Sequence, residues 1–229
     1  MKKYITESSN KVLSERKEYH IFGNVNVFIK DPMSRDINMT SVISDVEDII
    51  PSKFFYNIDM VMVGDFEDLN SRGIRAAFMD GAIYVTNNQP SEEQLLEDII
   101  HEVAHSVEKE YGMYLYSDKK LEEEYAGKKK AYLDMLSAHG VKVPNRIRYG
   151  VEYSRMFDEF LHYELGFEKA NTLCMGIFLS PYSSVSISEY FATAFEHYYV
   201  AGDFSTLSKM CPVVYEKIKN INDGEDNVY

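Results

Sequence analysis

The apolar positions of this chain change period along its length, short alternating runs first and helical spacings after. Val25, Val27 and Ile29 alternate with Asn24, Asn26 and Phe28, which predicts a short strand ending at Asp31-Pro32. Val42, Ile43, Val46, Ile49 and Ile50 fall at helical spacing within 40–56, with Pro51 interrupting or restarting the helix. Ile58 to Val63 is a β-branched apolar run ending at Gly64-Asp65 and reads as a buried strand. Arg75 to Phe78 and Ala82 to Val85 flank Met79-Asp80-Gly81, a hairpin signal because Gly tolerates a positive φ. Ser91 then stands as an N-cap with Glu92 and Glu93 in the first turn of a helix. Leu95, Leu96, Ile99, Ile100, Val103, Ala104 and Val107 form its apolar side, and Gly112 is the expected stop.

Four further helical stretches follow. They cover 118–140, closed by His139-Gly140 and Pro144; 152–165, closed by Gly166; the aromatic stretch 186–199; and 204–221, broken at Cys211-Pro212. Strands come early and helices late, so the expected class is α+β: a small mixed N-terminal sheet with a hairpin, then a mostly helical half. Residues 1–18 are polar and read as a loosely held leader, with 19–229 as one domain.

Composition removes several function classes. The 229 residues are 45% hydrophobic, enough for a sizeable core, and carry a formal net charge of -13, which argues against a nucleic-acid or anionic-membrane partner. Lys128-Lys129-Lys130 is the only basic cluster, and beside Glu122-Glu123-Glu124 it reads as a salt-bridged solvated face. Cys174 and Cys211 are expected to be reduced and buried. With no signal peptide or membrane span in the sequence, a cytoplasmic location is expected, release by lysis or a specialised secretion route being compatible with it.

The candidate chemistry lies in His101-Glu102-Val103-Ala104-His105. On a helix, positions i and i+4 share a face, so both imidazoles reach one ion, and Glu102 is placed to take a proton from a water bound there. A zinc hydrolase of this kind needs a third protein ligand. Glu189, near the amino end of the aromatic helix and preceded by Pro181-Tyr182-Ser183-Ser184, supplies one.

These residues resemble a known family, the zincin-type zinc metallopeptidases represented by the peptidase domain of anthrax lethal factor and the clostridial Pro-Pro endopeptidase. The likeness rests on His101-Glu102-x-x-His105, on Glu189-Tyr190-Phe191-Ala192, on Tyr182 seven residues before that Glu, and on the tail Leu207-Ser208-Lys209-Met210-Cys211-Pro212-Val213-Val214-Tyr215. It implies a zincin-like fold and one Zn2+ per chain on His101, His105 and Glu189. Glu102 would be the general base and Tyr182 the donor to the oxyanion, and the substrate would be an extended protein or peptide. In that fold class the peptide pairs with an edge strand beside the His helix, here expected to be Ala82, Ile83, Tyr84 and Val85. Two departures are visible. The gap from His105 to Glu189 is longer than in those relatives, implying a helical insertion at about 117–166 that roofs or narrows the cleft. Thr193 stands where they carry a second glutamate, so support of the site from that position is missing.

Two other readings use the same residues. Glu102-x-x-His105 and Glu159-x-x-His162 are both Glu-x-x-His pairs of the kind found in di-iron carboxylate bundles, which also need a Glu from each of two further helices. Alternatively, a peptidase fold has become a silent binding or structural module. His20, His139 and His197 read as ordinary surface or packing residues.

Overall fold

The computed structural model describes residues 19–144 and 150–224; the expected leader lies outside the described residues. Five strands form one mixed sheet: β1 (Tyr19–Ile21), β2 (Val25–Ile29), β3 (Met60–Gly64), β4 (Ala76–Met79) and β5 (Ala82–Thr86), in the order β1-β2-β3-β5-β4. The central pairs β2/β3 and β3/β5 are parallel, while β1 and β4 are antiparallel edges. The hairpin turn is the expected one, Asp80 at φ 50 and Gly81 at φ 81, the left-handed pair of a type I′ turn. At three residues, β1 is too short to carry a periodicity, and the sequence did not disclose it.

The α+β class stands, with helices dominating after β5. They are α1 (Met39–Ile49), α2 (Glu67–Arg72), α3 (Glu92–Tyr116), α4 (Lys120–Ala138), α5 (Arg155–Glu159), α6 (Phe167–Cys174), α7 (Ile187–Glu196), α8 (Phe204–Met210) and α9 (Pro212–Asp223). Wider π-type turns extend α5 through Phe160–Leu165 and α7 through His197–Ala201. Ser91 caps α3 by accepting from the Gln94 amide at 3.2 Å, and Pro51 ends α1 ahead of a 3-10 turn, as expected. Gly112 does not end α3, which continues to Tyr116: Gly112 keeps helical φ, and buried Leu115 and the Tyr116 hydroxyl on Glu108 reward the extra turn. Tertiary packing outweighs the glycine here.

Helix α3 is the hub. Leu95, Ile99, Ile100, Val103, Ala104 and Val107 are buried, and α1, β4, β5 and α7 pack around it. From α7, Tyr190, Phe191, Ala192, Ala194 and Phe195 are buried against the same cluster, which runs from Ile21 to Ile221. The lysine cluster departs from expectation. Only Lys130 forms the solvated ion pair, with Asp134 at 2.8 Å; Lys128 donates to the Ile177 carbonyl, and Lys129 is buried between the Tyr125 and Phe157 rings with its amine on the Gly150 carbonyl. Cys174 and Cys211 are free and buried, and no helix among the described residues is long and apolar enough to cross a membrane.

Candidate metal centre and cleft

Helix α3 presents His101 and His105 one turn apart, with ring centroids 5.2 Å from each other. Opposite them, Ser186 caps α7 by accepting from the Glu189 amide at 3.1 Å, which fixes Glu189 in the first helical turn. Its Oε2 lies 3.0 Å from His101 Nε2 and 3.7 Å from His105 Nε2. Donor atoms of His101, Glu102 and His105 also lie within 4.8 Å of one another, a grouping able to hold a metal ion. The two helices thus bring together His101, Glu102, His105 and Glu189.

Burial and charge pull these groups in opposite directions. Burial lowers the His101 pKa, but Glu189 and Glu196 outweigh it and hold the imidazole at about 9. His105 is likewise pushed down by burial and up, to about 10, by Glu108 and Glu189. Burial opposes ionisation of Glu189, yet the two imidazoles hold it at about 2. For Glu102 burial wins and raises the pKa against the attraction of His105 and His101, while the Phe78 amide donates to its carboxylate. The centre therefore favours positive charge at the point where the Nε2 atoms face Glu189.

Tyr182 sits on a 3-10 turn, Tyr182–Ser184, that α4 supports through Tyr125, whose hydroxyl donates to the Ser184 carbonyl at 2.8 Å. Its ring centroid is 6.2 Å from that of His101. Burial and Glu189 raise its pKa, so the phenol stays a donor.

A cleft of about 960 Å³ opens over these side chains. Residues 72–79 form one wall, and Asp158, Leu161, His162, Phe167, Ala170 and Leu179 stand on the other. The end of the expected insertion therefore borders the cleft, while α4 lies behind the Tyr182 turn. The expected edge strand needs correction. Ala82, Ile83, Tyr84 and Val85 lie in β5, which pairs with β3 on one side and β4 on the other, so its amides serve the sheet. The edge is β4. Arg75 O accepts from Thr86 N at 2.8 Å, and antiparallel alternation then turns the main-chain groups of Ala76 and Phe78 away from β5 toward the cleft.

Three residues beside the two imidazoles were not anticipated. Glu196 Oε2 lies 3.0 Å from His101 Nδ1, seven residues after Glu189 on the same side of α7, and so places a carboxylate at that imidazole. Ser188 and Glu108 stand at His105 Nδ1, at 3.2 Å and 3.5 Å. Glu159, by contrast, pairs with Arg155 at the surface, and His162 lines the cleft without joining the metal-holding group. The Nε2 atom of His197, at the cleft, is buried without a hydrogen-bond partner. Compared with protein-family models, curated proteins and solved structures, the chain matches none.

Proposed function

We propose that the protein is a zincin-type zinc metalloendopeptidase acting on an extended protein or peptide. The observation that carries the reading is the convergence of His101 Nε2, His105 Nε2 and Glu189 Oε2, with Glu102 beside them, on the floor of a cleft walled by an unpaired strand edge. Ligands about 2.0–2.1 Å from a tetrahedral zinc stand about 3.3 Å apart. The separations of 3.0 and 3.7 Å bracket that value, and a two-imidazole, one-carboxylate set suits a hydrolytic zinc with an open position. Bound zinc would supply Lewis acidity and lower the pKa of water. Glu102 takes the proton of the attacking water and passes it to the leaving amine, and the Tyr182 hydroxyl donates to the oxyanion. The Ala76 main chain and the Phe78 carbonyl hold the peptide by strand addition, and Phe167 and Leu179 offer its side chains apolar surface.

The test is zinc content together with hydrolysis of a peptide library. Glu102→Gln should retain about one zinc per chain and lose hydrolysis, whereas Glu189→Ala should lose zinc as well and Glu159→Ala neither. A Glu102→Gln variant that cuts like the parent would sink the assignment. Two metal ions per chain, lost on changing Glu159, would favour a di-iron site.

A further inference from the structure

We infer that Ser188 and Glu108 form a tautomer lock on His105, a role that rests on the proposed metal site. Ser188 Oγ lies 3.2 Å from His105 Nδ1 and donates its hydrogen to Glu108 Oε2, while the Tyr116 hydroxyl donates to Glu108 Oε1. A serine hydroxyl has a single hydrogen, and a carboxylate only accepts. With that hydrogen committed to Glu108, Ser188 meets the imidazole as an acceptor, so Nδ1 must carry the proton. Nε2, which faces Glu189 Oε2, is then the nitrogen left to give up its proton to a metal. The arrangement spans both elements of the site: Glu108 lies one turn after His105 on α3, and Ser188 immediately precedes the proposed ligand on α7. Ser188 and Glu108 are thus positioning residues, acting on the metal through the ring they orient.

Glu108→Gln is the decisive substitution, because it keeps the shape and reverses the logic. Its amide donates to Ser188 Oγ, which releases the serine hydrogen toward Nδ1 and favours the proton on Nε2. The full-length chain is titrated with zinc against a chromophoric chelator, after a thermal melt shows each variant folded. Glu108→Gln and Ser188→Ala should each weaken zinc binding about 10- to 100-fold, and Ser188→Thr, which restores a hydroxyl, should recover most of it. In the zinc-loaded parent, a long-range 1H–15N spectrum should show His105 protonated at Nδ1 and metallated at Nε2. Variants binding zinc as tightly as the parent, or metallation through Nδ1, would overturn the lock while leaving the peptidase reading intact. A parent chain that binds no zinc would overturn both.

Discussion

Tyr182 stands beside one imidazole and Lys129 between two aromatic rings, and their chemistry makes opposite demands. Tyr182→Phe keeps the ring beside His101 and deletes only the donor, so turnover should fall by about 10²–10³ with zinc content unchanged; reduced zinc occupancy would instead make Tyr182 a ligand or a prop. For Lys129, burial lowers the pKa from 10.5 to about 8, so at neutral pH the fold carries a desolvated ammonium that the Tyr125 and Phe157 rings offset in part. Below pH 8 folded and unfolded chains are both protonated and the cost is complete; between about 8 and 10.5 only the unfolded chain holds the proton, and the cost drains away as pH rises. Lys129→Met should therefore raise stability by about 1–2 kcal/mol at pH 7, a gain that chemical denaturation should find shrinking across that window. His101, Glu102 and His105 were legible because helical spacing alone aligns them. Ser188, Glu108 and Glu196 were not, because they meet the imidazoles only through the packing of α7 on α3, which no local pattern encodes.

Elements were legible where the signal was local and obscured where distant contacts decided. The β4–β5 hairpin follows from Asp80-Gly81, but its edge could not be told from alternation, because β5 becomes interior only through its parallel pairing with β3. Ala76→Pro removes an amide turned toward the cleft without breaking a ladder bond, a substitution edge strands tolerate. On a folded variant it should raise KM for peptide hydrolysis several-fold with zinc retained, and an unchanged KM would place the substrate elsewhere. Helix α3 overruns Gly112 because Leu115 and Tyr116 are anchored beyond it, and a Cβ at Gly112 would meet nothing within 4 Å. Gly112→Ala should accordingly stabilise the fold by about 0.5–1 kcal/mol, read as a shifted urea midpoint with unchanged slope. The short helices α2 and α6 escaped notice for want of enough turns to display a period.

Across the whole molecule, the order of strands before helices was enough to read the α+β class, whereas strand order and the cleft's second wall depend on contacts between distant segments. His101 and Glu189 lie 88 residues apart, and the donor atoms converge only once α7 has docked on α3. During synthesis the chain therefore carries His101, Glu102 and His105 long before the Glu189 carboxylate has left the ribosome. A nascent or truncated chain ending before α7 owns half a site, lacking also the Ser188 hydroxyl and the Glu196 carboxylate that hold the rings. On the proposed reading, such fragments are proteolytically silent without any inhibitory segment, and the order of translation itself delays the hydrolytic centre until the surrounding fold can contain it.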